Sequence, residues 1–292
     1  RKMRQVRNYY EGSRNKECIR ANYSTGKHLG AKYEVMEKYG IHKETFENWV
    51  INKLGLTGKE KVLDIGAGNG RFSIPIGKML KEKGGFLVAC DLAEGVMASS
   101  QTEARTHLLP VLHMVADAED LPFLSNEFDL VMANHMLYHL PNLQKGLAEI
   151  RRVLKDTGTF LATTNSEKGM PELFLLHQKT MRELGIPFGV KENDMSFSLE
   201  NGKQILTEYF HRVEQWVYDA GFKVTQPEPV LQYYMATQLY QGPFHDQNLS
   251  KEVRDLIAPT FLKFTEEMIK SCGGELVISK PVAAFICKVF PI

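Results

Sequence analysis

The feature that most constrains this chain is a short apolar run that breaks into glycine. Val62-Leu63-Asp64-Ile65 leads directly into Gly66-Ala67-Gly68-Asn69-Gly70, and Phe72, Ile76 and Met79 then recur at helical spacing. This is a strand, a glycine turn and a helix. Glycine accepts positive φ and, lacking Cβ, lets a ligand lie against backbone amides at the carboxyl end of the strand. The unit is the first of a series, because from Lys59 to about Asn165 short apolar runs alternate with amphipathic stretches. Candidate strands fall at 60–65, 85–90, 111–115, 128–133 and 158–163, the rhythm of βα units on a parallel sheet. Pro141 sits where a first helical turn tolerates it, and Leu143, Leu147, Ile150 and Leu154 then mark an amphipathic helix lying on that sheet.

The flanks have a different pattern. Residues 1–58 contain no proline and place Tyr33, Met36 and Glu37, then Phe46, Trp49 and Val50, at helical spacing, which predicts an N-terminal helical cap. After the core at 59–165, Gly169, Pro171, Gly185, Pro187 and Gly189 interrupt the rhythm, and 166–210 reads as an inserted lid. Residues 211–292 are expected to complete the sheet around a helical substrate-pocket insertion. The expected elements are a helix around 204–219, a strand near 222–226, a Tyr- and Phe-rich helical stretch, and a final strand near 276–290 introduced by Gly273-Gly274.

Composition excludes several classes. With 43% hydrophobic and 24% charged residues and a net charge of +1, the chain of 292 residues is an ordinary globular one without a field that would recruit nucleic acid or an anionic membrane. No apolar run is long enough to cross a bilayer and the basic start lacks a signal-peptide core, so a cytoplasmic protein with no membrane partner is expected. Cys18, Cys90, Cys272 and Cys287 form no Cys-x-x-Cys pair, as expected of reduced intracellular thiols. The chain begins at Arg1 without methionine, as a trimmed product would. Its first 32 residues concentrate Arg1, Lys2, Arg4, Arg7, Arg14, Lys16, Arg20, Lys27 and Lys32 against Glu11 and Glu17. That basic cluster could track phosphates of an RNA, but its spread along the sequence fits a solvated helix face better.

The neighbours of the glycine turn define its ligand. The next strand, Phe86 to Cys90, ends at Asp91, where a carboxylate can accept both hydroxyls of a ribose. The third ends in Val115-Ala116-Asp117-Ala118, placing a second carboxylate where it can accept from an exocyclic amino group. Each Asp could instead be an ordinary strand-end turn residue, and Asp64 could simply anchor the loop through backbone amides. Arg71 occupies the position of a dinucleotide fingerprint's last glycine, which opposes NAD and with it an oxidoreductase.

Taken together, Val62 to Gly70, Asp91-Leu92 with Met97, Asp117-Ala118-Glu119-Asp120-Leu121-Pro122-Phe123 and Phe128-Asp129-Leu130-Val131 resemble class I S-adenosylmethionine-dependent methyltransferases. The likeness is to the ubiquinone/menaquinone-biosynthesis-like small-molecule group, and it extends through Asn134-His135-Met136-Leu137-Tyr138-His139-Leu140 to Gly158-Thr159-Phe160-Leu161-Ala162-Thr163. The resemblance implies an α/β three-layer Rossmann-like methyltransferase fold, with a seven-stranded, mostly parallel sheet in the order 3-2-1-4-5-7-6 and an antiparallel last strand. It also implies S-adenosyl-L-methionine as methyl donor and S-adenosyl-L-homocysteine as product. Asp64 with Gly66, Ala67, Gly68 and Gly70 would hold the methionine part, Asp91 the ribose, and Asp117 with Ala118 the adenine. Leu92 and Met97 would line the adenosine pocket, and Asn134 would face the methyl-donor end.

The catalytic candidates follow Asn134. His135 and His139, with Tyr138 between them, lie where an acceptor would meet the methyl group, and a histidine can take the proton an acceptor must lose. Orientation and desolvation alone can also suffice. His-x-x-x-His lacks a third ligand, so no metal is expected. Tyr9, Tyr10, Tyr23, Tyr33, Tyr233, Tyr234, Tyr240 and Phe174 read mainly as packing, with some roofing a pocket that encloses a small-molecule acceptor. The competing readings are an RNA methyltransferase using the basic start and a protein that binds S-adenosylmethionine without transferring methyl.

Overall fold

A computed structural model describes Lys16, residues 27–188 and residues 195–290. Most of the basic start (Arg1 to Arg14, and Arg20), the Lys27 side chain, Tyr9, Tyr10, Tyr23, Cys18 and Gly189 lie outside the described residues.

Strands β1 (Lys61–Ile65), β2 (Phe86–Asp91), β3 (Val111–Val115), β4 (Phe128–Asn134) and β5 (Leu154–Asn165) fall where the apolar runs predict them. They pair in parallel in the order β3-β2-β1-β4-β5, then β9 (Pro281–Lys288) and the edge strand β6 (Arg212–Asp219) complete seven strands. β9 runs antiparallel to both neighbours. Counting only the strands of this sheet, the order is the expected 3-2-1-4-5-7-6. The intervening β7 (Phe222–Val224) and β8 (Leu276–Ile278) pair with each other in a separate two-stranded sheet.

Alternation along each strand sends side chains to opposite faces. Val62, Leu87, Ala89, Leu130, Met132 and Leu161 pack under α2 (Phe46–Leu54) and α3 (Ser73–Leu80), where Phe46, Val50, Phe72, Ile76 and Leu80 are buried. Leu63, Val88, Val131, Phe160 and Phe285 face the other way, onto α5 (Leu143–Val153). α5 contributes Leu143, Leu147, Ile150 and Val153, each worth about 1.5–3 kcal/mol when fully buried. Asn142, not Pro141, caps that helix, accepting from Lys145 N at 2.9 Å, so the proline precedes the cap instead of opening the first turn. α4 (Ala98–Thr106) covers the β2–β3 end. The result is three layers, helix, sheet, helix.

A second core lies beside the sheet. α1 (Lys27–Tyr39), α6 (Pro171–Glu183), α8 (Glu228–Met235), α9 (Gln238–Phe244) and α10 (Lys251–Ser271) bury Val35, Leu176, Tyr234, Tyr240 and Phe261 together with Phe222 and Ile278 of the small sheet. Tyr234 stacks on Phe261 at 3.8 Å and its hydroxyl bonds His177 Nδ1 at 2.8 Å. Tyr233, Tyr234 and Tyr240 are thus packing residues here, and Phe174 sits half-buried on α6.

Three expectations in the C-terminal part need correction. The helix around 204–219 is only the short α7 (Gly202–Leu206), and 212–219 is strand β6. Val213, Trp216 and Val217 have helical spacing, but this edge strand exposes Trp216 and Val217, so burial never imposed a clean alternation on its sequence. The strand near 222–226 exists as β7 but lies outside the main sheet. The final strand near 276–290 is two, broken where the Asp219 carboxylate accepts from Lys280 N at 2.8 Å and Ser279 Oγ at 3.3 Å.

Candidate active site

The site is built by the period of two. Asp64, Asp91, Asn134 and Thr163 each lie two residues beyond a buried member of the α2/α3 face, namely Val62, Ala89, Met132 and Leu161, and Asn165 lies four beyond Leu161. They therefore emerge on that face at the carboxyl edge of the sheet. The cross-strand register sets their spacing: Asp64 pairs with Ala89 and Met132, Asn134 with Thr163, and Asn165 with Val282.

The glycine loop bends back over this edge. Gly66, Gly68 and Gly70 all have positive φ, at 69°, 53° and 84°. A Cβ on Gly68 would meet nothing within 4 Å, so open space lies in front of that residue. A Cβ on Gly70 would lie 2.2 Å from Ser100 Oγ, because α3 and α4 approach closely there. Ala67 N donates to Cys90 O at 3.0 Å and Gly70 N to Ala67 O at 3.0 Å, which ties the loop to β2.

Two carboxylates sit below it. Asp91 accepts from Gly68 N at 3.0 Å and Ala93 N at 2.9 Å; burial raises its pKa against those hydrogen bonds. Asp64 is almost wholly buried and accepts from Ser73 Oγ at 2.6 Å and more weakly from Asn134 Nδ2 at 3.4 Å. Burial pushes its carboxyl up to about 7, with the neighbouring Asp91 charge adding to the effect. Thr163 Oγ1 donates to Asn134 Oδ1 at 3.2 Å and so fixes the amide orientation that serves Asp64. Leu92 is half-buried and Met97 fully buried in the turn after β2. Ala118 is buried at the tip after β3.

Asp117 is engaged by a residue of the N-terminal stretch. Lys16 Nζ lies 2.6 Å from Asp117 Oδ2 and 3.1 Å from Glu119 Oε2. Burial would raise the Asp117 carboxyl, but Lys16 and the Glu119 N–H bring it below its usual value. Any amino group that uses Asp117 must share it with this ammonium or displace it.

The turn after β4 brings the catalytic candidates together. His135 adopts a left-handed backbone, φ 52°, and its N–H donates to Thr163 O at 3.0 Å. Its ring packs against Phe46 at 5.9 Å, and burial, aided by the Lys280 charge, pushes it down to about 3. His135 is therefore a neutral imidazole of low basicity at physiological pH. Tyr138 and His139 lie in the following 3-10 turn with ring centroids 4.4 Å apart, and the His139 charge is among those felt by His135.

Residues that sequence reasoning passed over complete the enclosure. Arg71 Nε pairs with Glu47 Oε1 at 2.6 Å while its guanidinium covers Tyr33 at 3.8 Å, which clamps the cap helices onto the glycine loop. Lys280 stands one step before β9 on the same face as Val282 and Ala284. Asn165 Oδ1 is buried with no hydrogen-bond partner among the described residues. The displaced glycine at Arg71 was a visible signal; Glu47, Asn165 and Lys280 had none. Among the described residues no cluster of His, Cys, Asp and Glu could hold a metal, and no helix is long and apolar enough to cross a membrane.

Comparison with known proteins gives this geometry a context. Residues 63–162 match the family described as methyltransferase domain. The chain is 30% identical over 132 residues to demethylmenaquinone methyltransferase of Corynebacterium glutamicum, covering 45% of this chain and 53% of that one. It is 31% identical over 140 residues to the ubiquinone/menaquinone biosynthesis C-methyltransferase UbiE of Haemophilus ducreyi, covering 46% and 52%. The chain thus spans about half the length of the curated relatives it matches. Among solved structures, the YcgJ protein of Bacillus subtilis superposes with a TM-score of 0.53 at 17% identity, over 84% of this chain and 98% of the other, and so shares the fold.

Proposed function

We propose that this chain, whose residues 63–162 are a methyltransferase domain of the class I S-adenosylmethionine-dependent kind and whose relatives belong to the ubiquinone/menaquinone-biosynthesis-like group, methylates a small molecule in an enclosed pocket. The observation that carries this reading is the pairing of an open cradle at Gly68 with two carboxylates, Asp64 and Asp91, on one face of adjacent strand tips. When bound, S-adenosylmethionine supplies a methyl group on a positively charged sulfur, transferred in line to a lone pair of the acceptor.

The residues present fit that donor. Among the described residues Asp64 is a buried carboxylate with two hydroxyl or amide donors, an environment a nearby cation would stabilise. Asp91 can accept ribose hydroxyls at the end of β2, and the loop amides between them can meet the amino-acid end. Leu92, Met97 and Ala118 offer apolar contact, and Asn134 holds the boundary between donor and acceptor. α2 and Phe46 cover the His135 side and exclude water, which strengthens the electrostatics within. Where the acceptor has a proton to lose, His139 is the histidine left to take it, since burial has suppressed the basicity of His135.

Two outcomes test this. Tritium from methyl-labelled S-adenosylmethionine should enter the small-molecule fraction of a cell extract and leave RNA unlabelled; label confined to RNA contradicts the reading. With a proton-bearing acceptor, His139→Ala should lower kcat by about 100-fold while donor affinity holds, and unchanged turnover removes that role.

Asp64 gives the pH dependence its sign. Its folded pKa, about 7, lies above the ordinary 3.8, so the carboxylate is protonated progressively as pH falls through 7. Affinity for the cationic donor is expected to fall about tenfold per pH unit below 7. Asp64→Asn should abolish this slope between pH 5.5 and 7.5 and weaken binding at pH 8. The sign for stability is opposite: a raised pKa means stability present at low pH and lost as pH rises through 7. Asp64→Asn should therefore raise Tm at pH 8 and leave it unchanged at pH 4. Calorimetric titration and thermal melts at the same pH values check both.

A further inference from the structure

Among the described residues two buried side-chain polar atoms have no hydrogen-bond partner, Asn165 Oδ1 and Arg254 Nε. Arg254 lies on α10, a helix of the second core. Asn165 is the last residue of β5, at the carboxyl edge of the sheet where the candidate site lies. Leu161, Thr163 and Asn165 alternate onto the α2/α3 face. Thr163 Oγ1 donates to Asn134 Oδ1 at 3.2 Å and Asn134 Nδ2 donates to Asp64 at 3.4 Å, so these three groups satisfy one another. Asn165 stands one two-residue step beyond Thr163, about 6.7 Å along the strand. Its Oδ1 joins none of these bonds.

The backbone that carries this oxygen is fixed from the opposite face of the sheet. Thr164 Oγ1 donates to Phe197 O at 3.0 Å, and Leu199 N donates to Asn165 O at 3.0 Å. Ser166 N donates to Pro281 O at 3.0 Å, while the Glu200 carboxylate accepts from Ser166 Oγ at 2.6 Å and from Glu167 N at 3.0 Å. Most of these partners come from Ser198-Leu199-Glu200-Asn201-Gly202 and the residue before it, a turn closed on itself. Ser198 Oγ accepts from Glu200 N and Asn201 N at 3.2 and 3.3 Å, and Asn201 Oδ1 accepts from Ser198 N at 2.7 Å. Phe197 is buried in the α5-face core, and Gly202 lies so close to Phe285 that an added Cβ would be 2.7 Å from its Cζ, which seats the turn. The strand tip is therefore rigid, and the amide oxygen is left over. Burying a carbonyl oxygen without a donor is costly, and a held one at the edge of a site has its use in a ligand that brings the donor.

We propose that Asn165 Oδ1 accepts a hydrogen bond from the methyl acceptor, which is therefore a small molecule carrying an O–H or N–H group. This assignment rests on the methyltransferase reading and narrows its substrate class. With the methyl donor on Asp64, Asp91 and the glycine loop, the next open hydrogen-bond acceptor beyond Asn134 and Thr163 faces the other reactant. Asn165 takes no proton and makes no bond to carbon; it selects and orients. A compound without such a hydrogen leaves the amide oxygen unpaired and is disfavoured for that reason.

The test uses the full chain, methyl-tritiated S-adenosylmethionine and the small-molecule fraction of a cell extract. Asn165→Leu removes the oxygen at similar side-chain volume and should lower label transfer about 10–100-fold. Asn165→Asp keeps an oxygen at that place and should stay within about threefold of the unsubstituted chain. S-adenosylhomocysteine affinity should hold within about twofold in both variants. The unliganded Tm of Asn165→Leu should not fall, because the oxygen it removes has no partner within the described chain. Acetic anhydride in pyridine, which caps hydroxyl and amino groups, should make the extract unreactive. Acetylation in neutral water, which favours amines, separates the two sources: surviving label assigns a hydroxyl and lost label an amine. Unchanged transfer by Asn165→Leu, equal losses in both variants, a fall in unliganded Tm or labelling of the fully capped extract overturns the proposal. So does a chain that binds S-adenosylhomocysteine yet labels no small molecule. If the unsubstituted chain neither binds S-adenosylhomocysteine nor transfers label, the methyltransferase reading itself fails.

Discussion

Asp91→Ala is expected to weaken S-adenosylhomocysteine binding by about 100-fold or more. The Asp91 carboxylate lies at the tip of β2, already oriented by Gly68 N and Ala93 N at 3.0 and 2.9 Å. Two further acceptor positions remain for the vicinal hydroxyls of a ribose. Hydrogen bonds to a charged group contribute about 1.5–3 kcal/mol each, so losing two costs at least about 3 kcal/mol, near two orders of magnitude in affinity. The substitution also leaves the Gly68 and Ala93 N–H groups without their partner and loosens the loop that lies against the donor. Asp91→Asn separates the contributions: it keeps one oxygen acceptor, loses the charge, and should fall between wild type and alanine. Titration calorimetry reads the effect. An Asp91→Ala protein that binds within about threefold of wild type would remove Asp91 from the site.

Gly70→Ala is expected to produce a large loss of stability from a single added carbon. Gly70 has φ 84°, a conformation that costs a side-chain-bearing residue on the order of 1 kcal/mol. Its added Cβ would sit 2.2 Å from Ser100 Oγ, 2.7 Å from Ser100 Cβ and 3.1 Å from Ile74 Cγ1, so α3 and α4 must separate. Overpacking of this kind costs about 1–3 kcal/mol, giving a combined loss of about 2–4 kcal/mol. The second site makes the explanation testable. Ser100→Gly clears the two closest atoms, so the double variant should recover the overpacking part and retain the φ strain, a non-additive cycle. Ser100 Oγ also bonds His113 Nε2 at 2.8 Å, so the single Ser100→Gly change carries its own smaller cost. Urea unfolding of all four proteins gives the cycle; strict additivity would show that the clash is not the cause. Gly68→Ala is the contrast, because its Cβ meets no protein atom. Its folding cost should be confined to φ strain, while the filled cradle should cost donor affinity.

How much of this was legible in the sequence depended on whether burial imposed a pattern. β1, β2 and β4 are covered on both faces, so they read as continuous apolar runs ending in Asp64-Ile65, Asp91 and Asn134. The polar residue that ends each run marks the strand tip where a ligand can reach. β6 has one neighbour and a partly exposed face, so Arg212 to Asp219 retained an ambiguous spacing that mimics a helix. β8 and β9 read as one strand because Ser279 and Lys280 interrupt them through a long-range contact with Asp219, which local sequence does not announce. The proposed donor site follows the same logic. Its carboxylates and glycines lie on consecutive βα units and could be named from order alone. The cluster at the end of β4 is assembled from Glu47, Arg71, His135 and Lys280, contributed by four separated stretches of chain, and only folding brings them together. Histidine spacing drew attention to His135 as a base, yet its environment lowers its basicity, a property set by Phe46 and Lys280 and invisible in the motif itself.

The most direct test of the central claim is a calorimetric titration of the unsubstituted chain with S-adenosylhomocysteine, run beside NAD. The account predicts saturable one-site binding of S-adenosylhomocysteine that Asp91→Ala weakens by about 100-fold or more, and no measurable heat with NAD. Absence of S-adenosylhomocysteine binding, or NAD binding of equal strength, would contradict it.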